Sequence, residues 1–298
     1  SDDTGSYRLE LSLTPRPFDV SENDEGGPLQ NGIRHNGSID VGDIDQWTFT
    51  GQRGDRVHVR LAETDDGSGL SPWLALISPT GVQIRTDTAP REAWIAQTLE
   101  ETGVHTVLVA DADTNGNSFG EQQDDTGSYR IELVHVPGEF TISDGDDGGA
   151  LEFSVSNHGT IEVGDIDHWT FSLPVNSPVS ITLRNLGLNP TLHPHIELID
   201  PKGSRLLSES DASQIDFDFT TAQGGIHHLI VSDGDTNGNS SGEENDDTGN
   251  YTLAINSPTP VFELKGPLIV RELTDFQTQI RTQWTANRQV DIHYEIVN

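Results

Sequence analysis

One stretch that occurs twice decides the fold of this chain: GSIDVGDIDQWTF, starting at Gly37, and GTIEVGDIDHWTF, starting at Gly159. The two copies are 122 residues apart. The same offset maps residues 2–123 onto residues 124–245 without a gap, and 47 of these 122 positions are identical. Self-similarity at a fixed period is the sequence signature of a duplicated structural unit. The sequence therefore predicts two tandem copies of one domain.

The residues that follow the repeated stretch alternate between apolar and polar, which is typical of a β-strand with one buried face. Val57, Val59 and Leu61 are apolar in this way, and their neighbours are polar. Clusters of Gly, Pro, Asn and Asp interrupt such runs. Residues 91–99 come nearest to a helical pattern, but their counterpart, SQIDFDFTT, alternates like a strand. We predict an all-β fold made of two tandem antiparallel β-sandwich or jelly-roll domains.

The repeat also sets the expected domain boundaries. We place the first sandwich at residues 14–136 and the second at 137–257. Residues 1–13 copy the closing strand of a repeat whose body is absent, and residues 258–298 resemble the opening strands of an immunoglobulin-like surface domain. Both ends are thus partial β segments. We expect the sequence to be a slice or a processed form of a longer protein, since it contains no methionine.

An ordered set of motifs in both repeats resembles the bacterial pre-peptidase C-terminal domain. The set is G-x-I-x-V-G-D-I-D-x-W-T-F, then P-x-G, then T/G-G-V/I-H, then G-S/N-Y before a closing strand. This resemblance implies a small β-sandwich that is often calcium-dependent and is not catalytic. Domains of this family are appended to secreted peptidases and to large surface proteins, and some related modules bind collagen or polysaccharide.

The composition excludes several classes of function. The chain has 298 residues and a formal net charge of −33, from 49 acidic and 16 basic residues. Such a charge repels nucleic acid and anionic membrane surfaces, so we expect neither as a partner. The absence of cysteine excludes disulfides, zinc-thiolate sites and thiol nucleophiles. The acidic, lysine-poor balance suggests a prokaryotic protein from a marine or saline habitat.

Each repeat carries an acidic hairpin that opens as D-x-D-x-N-G, the first half of a calcium loop. Calcium prefers carboxylate, amide and carbonyl oxygens, and crowded carboxylates repel one another without a cation. We therefore predict a Ca²⁺ site in each hairpin, with a solvated acidic turn as the alternative. The predicted ligands are Asp111, Asp113, Asn115, Asn117, Glu121, Asp124 and Asp125 in the first repeat, and Asp233, Asp235, Asn237, Asn239, Glu243, Asp246 and Asp247 in the second.

Two further pairs of acidic motifs are weaker candidates for metal ligands. Asp24 and Asp146 lie in SENDEGG and SDGDDGG, which also suit ordinary turns. The other motif, D-I-D, lies at a strand start, where aspartate often caps a turn through backbone hydrogen bonds. Its residues are Asp43 and Asp45 in the first repeat and Asp165 and Asp167 in the second.

The first hairpin also contains Gly116-Asn117-Ser118-Phe119-Gly120, which fits the G-x-S-x-G pattern of a hydrolase nucleophile elbow. That elbow requires a buried helix directly after the serine. Ser118 and its counterpart Ser240 are followed by polar, glycine-broken segments. His105 and His227 recur in register, but they lie on predicted strands beside core valines. We therefore expect that the chain is not an enzyme.

The tryptophans divide into two kinds. Trp47 and Trp169 occupy matching slots on an alternating strand, which predicts that both are core residues. Trp94 is replaced by Asp216 in the second repeat. A core position rarely accepts both, so we expect Trp94 to be a partly covered surface residue, with a ligand-stacking residue as the alternative.

The favoured function is a non-catalytic, calcium-binding, extracellular or cell-surface module with a structural or adhesive role. Its partners would be other domains of the parent protein or neighbouring copies of itself. One alternative is a filament subunit in which an orphan end strand completes the sheet of the next copy. Another is a module that targets a secreted hydrolase to extracellular matrix or polysaccharide.

Overall fold

Every regular element in the described part of the chain is a β-strand. The structure is a computed structural model that describes residues 11–12, 14, 20, 24–65, 68–89, 91–112, 125–187, 192–211, 213–234 and 248–257. The strands of the first repeat are β1 (Gly26–Pro28), β2 (His35–Ile39), β3 (Asp45–Gly51), β4 (Arg56–Glu63), β5 (Pro72–Ile77), β6 (Gln83–Thr88), β7 (Glu92–Thr98), β8 (Gly103–Asp111) and β9 (Gly127–Val136). Those of the second are β10 (Gly148–Ala150), β11 (Ser156–Ile161), β12 (Ile166–Leu173), β13 (Pro178–Asn185), β14 (Pro194–Ile199), β15 (Arg205–Ser210), β16 (Gln214–Thr220), β17 (Gly225–Asp233) and β18 (Gly249–Asn256). The predicted all-β fold is confirmed.

The eighteen strands form two pairs of sheets with matching strand orders. In the first repeat a five-stranded sheet, β1-β3-β8-β5-β6, accompanies a four-stranded sheet, β2-β9-β4-β7. In the second repeat the corresponding orders are β10-β12-β17-β14-β15 and β11-β18-β13-β16. All named ladders are antiparallel except β1 with β3 and β10 with β12, which are parallel. These short parallel strands, which the alternation did not predict, place the glycines that end the SENDEGG and SDGDDGG segments beside the strands that follow the D-I-D motif.

The described residues belong to a compact unit that spans Ser1–Pro258. The chain's second unit, Thr259–Asn298, lies outside the described residues, so the predicted domain start within it remains a prediction. The same holds for residues 1–10 of the predicted orphan strand.

A separate apolar core fills each repeat between its two sheets. Trp47 and Phe49 belong to the first core, and Trp169 and Phe171 to the second. The prediction that Trp47 and Trp169 are core residues is therefore confirmed. Burial of apolar surface of this kind is the main source of stability in such a small sandwich.

The glycine that opens each repeated stretch has a packing role. Gly37 lies opposite Tyr129 in the β2–β9 ladder, and Gly159 lies opposite Tyr251 in the β11–β18 ladder. A Cβ atom on Gly37 would lie 2.4 Å from Cζ of Tyr129, and one on Gly159 would lie 2.3 Å from Cζ of Tyr251. The tyrosine ring thus covers a position where no side chain fits.

The two repeats are packed together through a buried interface. Val57, Val59 and Leu61 of β4 point into the first core, as the alternation predicted. The polar neighbours on the opposite face, Arg56 and His58, are also buried, because they contact the second repeat. The polar face of this strand is therefore an interface and not a solvent face.

Apolar and charged contacts both contribute to this interface. Its apolar patch joins Val134 and Val136 of the first repeat to Ile166, Ile199 and Ile230 of the second. Beside this patch, the side chain of Glu197 accepts hydrogen bonds from Nε of Arg56 at 2.8 Å and from Nη2 at 2.9 Å, and lies 3.0 Å from Nε2 of His58.

Trp94 lies at the same interface. Its ring centroid is 5.5 Å from that of His195 in the second repeat and 6.1 Å from that of His58. The guanidinium of Arg60 lies over the tryptophan ring at 5.9 Å. The second repeat has exposed Asp216 at the equivalent position. The expectation that Trp94 is partly covered is confirmed, and His195 of the second repeat supplies part of the cover.

Candidate metal centre

A buried aspartate–tyrosine–tryptophan network is present in each repeat. In the first repeat Nε1 of Trp47 donates to the hydroxyl of Tyr129 at 3.0 Å, and that hydroxyl donates to Oδ2 of Asp45 at 2.5 Å. The side chain of Asp45 is fully buried, and its other oxygen, Oδ1, has no hydrogen-bond partner among the described residues. A buried, ionised carboxylate with an unsatisfied oxygen is costly unless a cation compensates it.

The second repeat reproduces the network atom for atom. Nε1 of Trp169 donates to the Tyr251 hydroxyl at 2.7 Å, and the hydroxyl donates to Oδ2 of Asp167 at 2.6 Å. Oδ1 of Asp167 is likewise buried without a hydrogen-bond partner in the described part of the chain. The repeated stretch therefore places its second aspartate inside the protein, beside the core tryptophan.

The charge around Asp45 is strongly negative. Burial is the main cause that raises the pKa of Asp45, to about 8, and the charges of Asp43, Glu25 and Asp24 raise it further. The hydrogen bond from Tyr129 favours the ionised form and partly opposes this rise. A site that disfavours an isolated carboxylate in this way is one that a cation would stabilise.

Asp24, Glu25 and Asp45 together form an acidic cluster in the first repeat. Each offers a carboxylate oxygen, and these ligand atoms lie within 4.8 Å of one another. Oxygen ligands from aspartate and glutamate are those that Ca²⁺ prefers. The donor set and the unsatisfied oxygen of Asp45 therefore fit a calcium ion. The sequence indicated Asp24 and Asp45, but it missed Glu25, which β1 places beside β3.

The second repeat has a related cluster of Glu132, Asp146 and Asp165, whose ligand atoms also lie within 4.8 Å of one another. Glu132 comes from β9 of the first repeat, so this cluster spans the interface. Burial is the main cause that raises the pKa of Glu132, and the charges of Asp165 and Asp146 add to it. Burial and the charge of Asp165 raise the pKa of Asp146 to about 6. No sequence pattern marked Glu132, because its role depends on how the repeats pack.

An arginine of the first repeat enters this second cluster. Nη2 of Arg34 donates to Oδ1 of Asp146 at 2.7 Å and to Oδ1 of Asp165 at 2.6 Å. Its Nε lies 3.9 Å from Oε2 of Glu132. The one signal that could have found this residue is a difference between the repeats, since the equivalent position of the second repeat holds Ser156.

The first aspartate of the D-I-D motif caps a turn, which is the role that the sequence favoured, with metal binding as the alternative. Oδ1 of Asp43 accepts from the amide of Ile44 at 3.1 Å, and Oδ2 accepts from the amide of Asp40 at 3.3 Å. Asp165 caps the equivalent turn by accepting from the amide of Glu162 at 3.1 Å. Asp165 therefore both caps a turn and belongs to the acidic cluster.

Of the predicted hairpin ligands, only Asp111, Asp125 and Asp233 are among the described residues. Oδ1 of Asp111 accepts from the amide of Ser71 at 2.9 Å, and Oδ1 of Asp233 accepts from the amide of His193 at 3.0 Å. The remaining predicted ligands lie outside the described residues, as do Ser118 and Ser240; these ligands are Asp113, Asn115, Asn117, Glu121, Asp124, Asp235, Asn237, Asn239, Glu243, Asp246 and Asp247.

The recurring histidines pack beside the cores. The ring of His105 stacks on Phe49 with centroids 5.3 Å apart, and that of His227 stacks on Phe171 at 5.2 Å. Burial lowers the pKa of both imidazoles. Both side chains therefore have a packing role in the described structure.

No family model matches the chain, and no curated protein does. Among solved structures, it resembles the pre-peptidase C-terminal domain of a collagenase from Bacillus anthracis, with 17% identity and a TM-score of 0.28 over 37% of this chain and 95% of that one. It also resembles PliG, a periplasmic inhibitor of g-type lysozyme from Salmonella Typhimurium, with 15% identity and a TM-score of 0.27 over 37% of this chain and 98% of that one. Because these identities and TM-scores are low, the function must be argued from the chain's own residues. No helix in the described residues is long and apolar enough to cross a membrane.

Proposed function

We propose that this chain is a non-catalytic, calcium-stabilised pair of β-sandwiches that serves as a structural or adhesive spacer in a larger extracellular or cell-surface protein. Its calcium ligands in the first repeat would be Asp24, Glu25 and Asp45. The acidic hairpins that begin at Asp111 and Asp233 would hold further ions. The bound ion would supply the positive charge that the buried carboxylates lack, and it would take no part in a reaction.

The observation that carries this proposal is the state of Asp45. Its carboxylate is fully buried, one oxygen has no hydrogen-bond partner among the described residues, and two further carboxylates converge on it. The ionised form of such a carboxyl is costly unless a cation compensates it. Calcium supplies two positive charges and accepts a set of oxygen ligands of this kind.

The spacer role is supported by the packing of the two repeats. A module that only tethers two partners needs a flexible linker, whereas a spacer needs a fixed geometry. Here the repeats share a buried apolar patch and a buried ion pair between Arg56 and Glu197. Such an interface holds the two sandwiches in one orientation and so favours a spacer.

The described surface favours this role over that of a module that targets polysaccharide. Stacking on sugars requires exposed aromatic rings. The large hydrophobic side chains that are exposed in the described residues are all aliphatic. Trp94, the aromatic residue that the sequence indicated for such a role, lies against His58 and His195 at the interface.

The proposal is tested by measuring calcium binding by calorimetry, and thermal unfolding with and without calcium, in the wild type and in the Asp45→Asn variant. Asparagine keeps the shape of the side chain and removes its charge. An ion at about 100 times its dissociation constant stabilises a folded protein by about 2.7 kcal/mol per site. For a unit of this size that corresponds to about 5–11 °C in Tm. We expect the variant to lose one bound ion and a stabilisation of this order.

The same variant should behave in the opposite way in a chelator. Without calcium, Asp45→Asn removes a buried carboxyl whose ionised form the neighbouring carboxylates repel, so we expect its Tm to equal or exceed that of the wild type. Asp65→Asn, which changes an exposed aspartate of the same repeat, serves as the control and should alter neither measurement. If wild type and Asp45→Asn bind the same number of ions, the first-repeat site is wrong.

A further inference from the structure

Equivalent acidic residues of the two repeats have different contacts. Asp24 and Asp43 of the first repeat correspond to Asp146 and Asp165 of the second. In the second repeat these two carboxylates share Nη2 of Arg34 as a hydrogen-bond donor. Arg34 corresponds to Ser156 in the second repeat, so the duplicated sequence supplies this arginine only once between residues 14 and 257.

The contacts of Arg34 are those of a bound cation. Its guanidinium lies against four carboxylates; besides Asp146, Asp165 and Glu132, its Nη1 lies 3.3 Å from Oε2 of Glu162. Asp165 is fully buried and Glu132 nearly so. An arginine that donates to two buried carboxylates occupies the space in which a metal ion would collect the same oxygens.

We propose that Arg34 is the built-in cation of the second repeat's acidic cluster, so that this cluster is closed to divalent ions while the Asp24–Glu25–Asp45 cluster of the first repeat takes one. The part that concerns the first repeat rests on the proposed function. The part that concerns Arg34 stands on its own contacts. Arg34 belongs to one repeat, and its acidic partners Asp146 and Asp165 belong to the other. The ion pairs of Arg34 therefore also stabilise the contact between the two sandwiches without calcium.

The electrostatics favour this substitution. Glu132, Asp146 and Asp165 bring three carboxylates within 4.8 Å, and like charges at that distance cannot all ionise cheaply. The guanidinium is always charged and is weakly hydrated, so it pairs with buried carboxylates at a lower cost than an ammonium does. Its five donors in a planar fork also match several acceptors at once.

The first test leaves Arg34 in place and neutralises one aspartate in each repeat. Calcium binding is counted by calorimetry in the full chain and in the Asp45→Asn and Asp165→Asn variants. We expect Asp45→Asn to lower the count by one ion and Asp165→Asn to leave it unchanged, because Asp165 holds Arg34 and not calcium. A lower count in Asp165→Asn would overturn the inference.

The second test removes Arg34 from the acidic cluster of the second repeat. Arg34→Ser installs the residue that the second repeat has at the equivalent position, and we expect it to bind one more calcium ion than the wild type. The double variant Arg34→Ser, Asp165→Asn should lose that additional ion. Arg34→Lys keeps a positive charge, so its calcium count should stay at the wild-type value. Folding of Arg34→Ser only when calcium is present also supports the inference, whereas a folded variant with an unchanged count contradicts it.

These outcomes separate the inference from the proposed function. If the wild type binds no calcium but Arg34→Ser binds one ion, the proposed calcium site fails and the role of Arg34 stands. If Asp45→Asn removes an ion but Arg34→Ser gains none, the proposed function stands and the role of Arg34 fails. Terbium luminescence, excited through nearby tryptophan, gives a second readout of the same count.

Discussion

Replacing Glu197 with alanine should weaken the contact between the two repeats, so that they no longer unfold in one transition. Glu197 is 1% exposed. Its carboxylate accepts hydrogen bonds from Nε and Nη2 of Arg56 and contacts the ring of His58. Burial alone would raise its pKa, but the hydrogen bonds and charges of His58 and Arg56 outweigh burial and hold the pKa at about 2. The carboxylate is therefore ionised and paired. The substitution leaves Arg56 buried without this partner, and it installs the residue that the first repeat has at the equivalent position, Ala75.

The expected magnitude follows from the burial of this pair. Removing one partner of a buried ion pair costs about 3–5 kcal/mol, because the remaining charge stays out of water without compensation. For a unit of this size, each kcal/mol lowers the Tm by about 2–4 °C. We therefore expect a fall of about 6–20 °C. Since the contact joins the two repeats, the loss should appear as a second, earlier unfolding transition.

Differential scanning calorimetry of wild type, Glu197→Ala and Glu209→Ala measures this effect. Glu209 is an exposed glutamate on the neighbouring strand β15, and its truncation should change the stability by less than about 0.5 kcal/mol. The double variant Arg56→Ala, Glu197→Ala should be more stable than the sum of the two single losses predicts, since it leaves no unpaired charge. A loss for Glu197→Ala that equals the loss for Glu209→Ala would refute the reasoning.

Two other predictions concern packing and pH. Gly159→Ala should cost about 1–3 kcal/mol in urea unfolding, because its Cβ meets the Tyr251 ring; a cost that does not shrink in a Tyr251→Leu background contradicts this explanation. The pKa of His195 is lowered to about 4, first by burial and then by the charge of His58, so the unfolded chain takes up this proton before the folded chain does. Stability from this group is complete above pH 6.5 and is lost as the pH falls towards 4. His195→Gln should reduce the fall in unfolding free energy between pH 7 and pH 4.5, and an identical fall would rule out this contribution.

The sequence alone determined the core and the alternating strands, but not the short parallel strands β1 and β10. The alternation of Val57, Val59 and Leu61 predicted which face of β4 is buried in the core, and the repeat predicted that Trp47 and Trp169 have the same role. These predictions succeed because apolar burial and strand geometry act over a few neighbouring residues. Asp24 and Asp45 were also indicated as candidate ligands in this way, because an acidic turn and a strand start are local patterns.

Only the tertiary structure decided what the polar residues do. Glu25 and Asp45 come together because β1 pairs with β3, and Glu132 and Arg34 meet Asp165 because one sheet packs on another. Local sequence shows that a side chain is polar, but whether it lies in water, at an interface or around a cation depends on residues far away in the chain. Electrostatic interactions depend on distance in space and on the surrounding medium, and packing fixes both.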